Sequence, residues 1–313
     1  MGHYLITGGG GFIGSNLAQA LAERGDRVRV LDTFVTGRRE NLGGVEDRVE
    51  VIEGDLRRLA DVEKAMEGVG VVLHQGALGS VPRSIADPVA THEANVTGTL
   101  HVLWAARAAG VRRVIYASSS SVYGDTPTLP KVEEMPPAPR SPYAVSKLAG
   151  EHYCRVFSAV YGMETIALRY FNVFGPRQDP ASQYAAVIPK FIRALLRGER
   201  PEIFGDGGQS RDFTYVENVV AANLAAAGAA AGALDGSVCN VACGERFTLL
   251  DLVAALNDIL GTRLEPVFRP PRPGDVRHSH AAIARAAALL GYRPAVRFAE
   301  GLRRTVEWMR SHA

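Results

Sequence analysis

Lysine is scarce in this chain. Of its 35 lysines and arginines only Lys64, Lys131, Lys147 and Lys190 are lysine, so an ammonium is not routine surface filler here. Cysteine is scarcer still. Cys154, Cys239 and Cys243 make neither an even-numbered framework nor a C-x-x-C, and no second ligand pair lies near Cys239 and Cys243. A disulfide scaffold and a zinc site are excluded, and buried thiols in a reducing cytosol are expected. No apolar run reaches the length of about 18 residues that suggests a membrane span. Neither a cationic start nor an apolar signal core precedes the first strand, so a cytoplasmic protein is expected. An excess of one charge is also missing. With 35 basic and 33 acidic residues the net charge is +2, which makes no field for nucleic acid or an anionic membrane. Small-molecule partners remain.

What is present is an ordinary globular composition, 47% hydrophobic and 22% charged over 313 residues, enough for one large domain or two unequal ones. Residues 3–7 read as a short apolar strand. The glycine run from Gly8 through Gly11 to Gly14 follows, with Phe12 and Ile13 inside it, and residues 13–24 read as an amphipathic helix. Strand, glycine turn and helix together let a backbone approach a pyrophosphate, with the helix N-terminus aimed at its charge. The next strand closes on Asp32, where a carboxylate can take both ribose hydroxyls of an adenosine and repel a 2′-phosphate. NAD is therefore expected over NADP, although Arg38 and Arg39 follow closely.

Further strands at residues 49–53, 70–74, 113–117 and 165–170 alternate with helices at 60–67, 89–109 and 142–161. That is the pattern of a doubly wound parallel α/β sheet covered on both faces. Asp55 and Leu56 end the third strand, at the adenine edge. His74 ends the fourth and reads as a hydrogen-bonded core residue. Beyond Pro176 the segments shorten, with helices at 187–197, 249–260, 281–290 and 298–309, and the alanine-rich stretch 221–233 reads as a packed helix. The expected organisation is a Rossmann domain over 1–175, its sheet completed by parts of 212–242, and a smaller substrate lobe over 176–313.

The sharpest signal is Ser141-Pro142-Tyr143-Ala144-Val145-Ser146-Lys147. Ser141 suits an N-cap and Pro142 the first helical position. Tyr143 and Lys147 then share a face one turn apart. A neighbouring cation lowers an acid's pKa by roughly 1–3 units, so the phenol is expected to be a usable base near neutral pH. The serine cluster Ser118–Ser121 ends the fifth strand, and ligands in open α/β sheets bind at strand carboxyl ends.

Together, Gly8/Gly11/Gly14, Asp32, Asp55, the serine cluster, Tyr143/Lys147 and Arg169-Tyr170-Phe171-Asn172 resemble the extended short-chain dehydrogenase/reductase family over nearly the whole chain. The nearest likeness is to its UDP-hexose 4-epimerases. The resemblance implies Ser119, Tyr143 and Lys147 as catalytic residues and bound NAD. It also implies a UDP-sugar held by Asn172, Phe204, Arg211, Arg272 and Asp275, and a homodimer paired through the helices at 89–109 and 142–161. In that family Tyr143 takes the proton from the hydroxyl on carbon 4 while hydride passes to the cofactor. The sugar turns over as a 4-keto form and hydride returns to the opposite face.

The 4,6-dehydratases of the family carry Asp-Glu where this chain has Ser120 and Ser121, so dehydration is not expected. Chemistry on a UDP-uronate stays open through Arg83 or Arg277. A non-catalytic NAD-binding regulator stays open too, as does a net dehydrogenase or reductase. Glucose-restricted epimerases have a bulky tyrosine near the place of Ser279. That serine would leave room for an N-acetyl group, and Gly79-Ser80 and Ala185-Ala186 resemble the branch that accepts N-acetylated sugars; Val187 is a further candidate substrate contact. Gly76 departs from the family's usual alanine.

Overall fold

The computed structural model describes residues 2–179, 186–271 and 276–312. Seven parallel strands form the central sheet: β1 (His3–Thr7), β2 (Arg27–Asp32), β3 (Val49–Glu53), β4 (Val71–His74), β5 (Arg113–Ser119), β6 (Glu164–Tyr170) and β7 (Ser237–Val241), in the order β7-β6-β5-β4-β1-β2-β3. The inner strands are mostly apolar because both faces are covered; every residue of β4 is buried, as is all of β5 before Ser119.

Helices α1 (Phe12–Glu23) and α8 (Val216–Gly228) cover one face, packing Leu17, Leu21, Val219 and Ala226 on Ile6, Val30 and Ile115. On the other face α2 (Leu59–Met66), α5 (Gly98–Ala108) and α6 (Pro142–Tyr161) set Val62, Met66, Val102, Leu103 and Phe157 against Leu5, Val72 and Val114. Two short helices, α3 (Val81–Ala86) and α4 (Pro88–His92), lead into α5. A separate core of Phe174, Ile188, Phe191, Leu252, Leu256, Leu302 and Val306 holds together α7 (Val187–Leu196), α9 (Leu249–Leu260) and α11 (Phe298–Ser311).

Three sequence expectations are corrected by tertiary contacts. The helix expected over 89–109 is interrupted by a π-helical turn at Glu93–Thr97, where the buried Asn95 carboxamide bonds to Leu78 and Ser146. The alanine helix begins at Val216 and stops at Gly228, not at 233. Arg113 of β5, wholly buried, donates to the carbonyls of Ala226, Ala227, Ala229 and Ala230 and pairs with Glu164, so its guanidinium closes the helix end. The helix expected from 281 starts at Ala284 as α10 (Ala284–Leu290), because Ala281 is bridged to Lys131 and Ala282 N–H donates to Lys131 O.

Candidate active site

The parallel register brings Thr7, Leu31, His74, Ser119 and Tyr170 to the carboxyl edge of the sheet. A cleft of about 660 Å³ opens there. Its first arm is the glycine turn. Gly8 has φ +69°, and a Cβ on Gly14 would lie 2.2 Å from the Gly8 carbonyl oxygen, so strand and helix approach as only glycine allows. Gly11 caps α1 without a side chain, leaving the first-turn N–H groups of Phe12, Ile13 and Gly14 to the cleft they line. The Asp32 carboxylate accepts from Gly10 N–H and Phe34 N–H, both at 2.8 Å, and is fixed at the end of β2. Arg57 holds the Asp55 carboxyl below its usual range through a 2.6 Å contact. Leu56 lines the same arm. Arg38 and Arg39, the residues that qualified the preference for NAD, are paired with Asp179 and Glu53.

The middle of the cleft is lined by Ser119, Tyr143 and Lys147. Ser141 caps α6 by accepting from Ala144 N–H at 3.2 Å, with Pro142 in the first turn, so the local reading of this helix start holds. The expected acidification of Tyr143 by Lys147 does not. Lys147 Nζ donates to the Ala117 carbonyl at 2.7 Å and lies 5.9 Å from the centre of the Tyr143 ring. Burial pushes the phenol above its ordinary pKa, and a hydrogen bond with Ser119 pulls it back. Burial also pushes Lys147 down to about 8, against the opposing charge of Glu151. Helical spacing put the two side chains on one face, but a buried ammonium takes the nearest carbonyl.

The third arm turns at Asn172, which has φ +36° and donates to the Asp212 carbonyl at 3.3 Å. Asn172 and Ala186 line the main cleft and also a neighbouring cavity of about 270 Å³ walled by Val187, Phe204 and Arg211. Ser80 and Ser279, both expected at the substrate, line neither cavity. Ser80 Oγ caps α3 by accepting from Arg83 N–H, and Ser279 Oγ meets the Asn172 amide at 3.5 Å. Arg272 and Asp275 lie outside the described residues.

His74 is a core residue as expected, its ring nitrogens 2.6 Å from Thr7 Oγ1 and 2.9 Å from Thr99 Oγ1. Several site-forming residues escaped sequence reasoning. Asn95 joins the loop after β4 to α6: it accepts from Leu78 N–H at 2.7 Å and donates to Ser146 Oγ at 3.0 Å. Tyr170 joins Gln75 to Asn223, 53 residues further along the chain. Nothing local in the sequence announces Asn95, and while Tyr170 stands in the Arg169-Tyr170-Phe171-Asn172 motif, its partners Gln75 and Asn223 are not announced. Glu151, four residues beyond Lys147 and buried, was within reach of the same spacing argument.

The sequence profile of the NAD dependent epimerase/dehydratase family matches residues 4–242. The chain belongs to this family. A UDP-glucose 4-epimerase of Mycolicibacterium smegmatis is 40% identical over 316 residues, covering 98% of each chain. Among solved structures, a UDP-N-acetylglucosamine 4-epimerase from Methanobrevibacter ruminantium in complex with UDP-N-acetylmuramic acid aligns with a TM-score of 0.95 at 40% identity, covering 100% of this chain and 99% of that one. The UDP-glucose 4-epimerase of Thermus thermophilus in complex with NAD aligns at 0.90 with 38% identity, covering 99% and 100%. The epimerase/dehydratase family membership agrees with the resemblance carried by the glycine turn, the serine cluster and the Tyr143/Lys147 pair.

Proposed function

We propose that this chain is an NAD-dependent UDP-sugar 4-epimerase acting on the UDP-glucose/UDP-galactose pair and on the N-acetylated pair. One observation carries the reading: Ser119, Tyr143 and Lys147 occupy the middle of a cleft with a dinucleotide cradle on one side and the Phe204/Arg211 cavity on the other. The glycine turn fits the cofactor, since a Cβ at Gly14 would close the space between β1 and α1. Gly11, Phe12 and Ile13 would hold its pyrophosphate, Asp32 its adenosine ribose, and Asp55 and Leu56 its adenine edge. When bound, NAD supplies the reversible hydride acceptor for carbon 4, the sugar passing through a 4-keto form.

The acting form of Tyr143 is the phenolate: its Oη accepts the proton of the sugar's 4-hydroxyl and returns it after the sugar has turned over. Ser119, the neighbour that draws the phenol's pKa back down, holds the same substrate oxygen. Lys147 contributes a fixed cation beneath the phenol. Phe204 and Arg211 take the uridine diphosphate end, together with Arg272 and Asp275. The UDP stays clamped while the hexose rotates. Acceptance of an acetamido group rests on the small side chains of Ala186 and Ser279, with Ser80 at the edge of α3.

A uronate substrate needs a cation for its carboxylate; neither Arg83 nor Arg277 lines the cleft that holds Tyr143 or the Phe204/Arg211 cavity, and Arg277 is paired with Asp206 at 2.9 Å. The uncharged hexoses are therefore the better reading. We also propose a homodimer through the face of α3 to α6, where Ile85, Val89, Trp104, Val145, Val156 and Val160 are exposed. A cytoplasmic setting is supported by Cys154, Cys239 and Cys243, all buried free thiols.

The deciding experiment incubates the purified protein, without added NAD, with UDP-glucose and separately with UDP-N-acetylglucosamine, and follows the sugar isomers by chromatography. Conversion of both is expected. Conversion of UDP-glucose alone removes the acetamido pocket, and conversion of neither removes the epimerase reading.

A further inference from the structure

One turn beyond Lys147, α6 buries a second charge. Glu151 is 3% exposed, and its Oε1 accepts from Ser118 Oγ at 2.5 Å and from Arg169 Nε at 2.8 Å, while Oε2 accepts from Arg169 Nη2 at 2.7 Å. Ser118 immediately precedes Ser119 on β5, and Arg169 immediately precedes Tyr170 on β6. One carboxylate thus ties α6 to the two strand ends that carry site residues.

The charged and titratable groups around Lys147 come from four elements: His74 on β4, Tyr116 on β5, Tyr143 and Glu151 on α6, and Arg169 on β6 through its pairing with Glu151. Burial and the Lys147 charge push His74 down to about 3, so it is neutral, and burial keeps the Tyr116 phenol protonated. The anion in this group is Glu151, bonded to Arg169 and one helical turn from Lys147 on the same helix. The group carries one net positive charge while Tyr143 is protonated and none once it has lost its proton. A buried charge without a partner is costly, so the identity of that one anion matters.

We propose that Glu151 is a positioning residue acting through Lys147: its carboxylate, clamped by Ser118 and Arg169, is the counter-charge that keeps the Lys147 ammonium protonated beside Tyr143. This rests on the role given to Tyr143 and Lys147 above. It adds the residue that holds their charge state.

With four lysines in the chain, carbon-13 lysine labelling resolves Lys147 by nuclear magnetic resonance, with Lys147→Arg as the assignment control. The double variant Glu151→Gln/Arg169→Gln strands neither charge and is the one to titrate first. Its Lys147 midpoint is expected below wild type, by less than the roughly 1–3 units of a lost neighbouring opposite charge because the Arg169 cation is removed with the anion. Arg169→Gln alone, which keeps the anion, is expected to move the midpoint upward. In the NAD-loaded enzyme the alkaline limb of the kcat–pH profile should follow the same two directions, which a purely structural role would not produce. An unmoved Lys147 midpoint in the double variant, or a downward shift in both variants, overturns the proposal. The titration reads Lys147 without any substrate, so it decides the point even if no UDP-sugar is turned over.

Discussion

The chemistry proposed for Tyr143 depends on one oxygen. Tyr143→Phe removes it and leaves the ring, so turnover should fall by about 10²–10⁴, the usual share of a positioned acid–base group. UDP binding, measured by calorimetry, should be retained. A variant that kept wild-type turnover would take the proton away from Tyr143. At His74 the same kind of burial acts on stability. Its imidazole is pushed down to about 3 from an ordinary 6.5, so between those values the folded chain binds fewer protons than the unfolded one. Stability is therefore lost as pH falls from about 6.5 toward 3, with nothing lost above that window. His74→Gln should be less stable than wild type near pH 7 yet decline less between about pH 7 and pH 5, as read by urea unfolding. Equal slopes would mean that His74 is not buried uncharged.

Elements are held in register by close approaches that a single side chain can spoil. Gly14→Ala puts a Cβ where the Gly8 carbonyl stands at 2.2 Å. The turn must then open, and the purified variant should have lost its NAD while keeping its sheet. Retained NAD would show that the turn tolerates the methyl. Arg113 plays a different part, joining β5 to the end of α8 and to Glu164, whose side chain is 14% exposed. Arg113→Met leaves four carbonyls and that carboxylate without the guanidinium, and should cost about 3–5 kcal/mol. The denaturation midpoint should fall with an unchanged denaturant slope. A loss under about 1 kcal/mol would mean that water replaces the guanidinium at the helix end.

At the scale of the molecule, the face formed by α3 to α6 leaves apolar side chains in solvent, with Val89 and Val160 each 65% exposed. In the homodimer proposed above, a second copy would cover this face with matching surface. Val156→Glu combined with Val160→Lys should convert a dimer to a monomer in sedimentation analysis. Wild-type protein that sediments as a monomer would refute the pairing.

Motifs whose meaning is local were readable from residues alone. The glycine turn, the Ser141 cap and the Tyr143/Lys147 spacing depend on contacts within one or two turns of chain, and the strand positions follow from runs that are apolar because both faces are covered. That was enough for the fold class, the family resemblance and the placing of Ser119, Tyr143 and Lys147 in one cleft. What required the tertiary structure was every partner distant in sequence. Lys147 turned to the Ala117 carbonyl, Asn95 opened a π-helical turn to reach Leu78 and Ser146, and Arg113 set where α8 ends. Each is a buried polar group that must find a hydrogen bond somewhere in the folded chain, and the choice of partner is made by three-dimensional proximity, which no local pattern encodes.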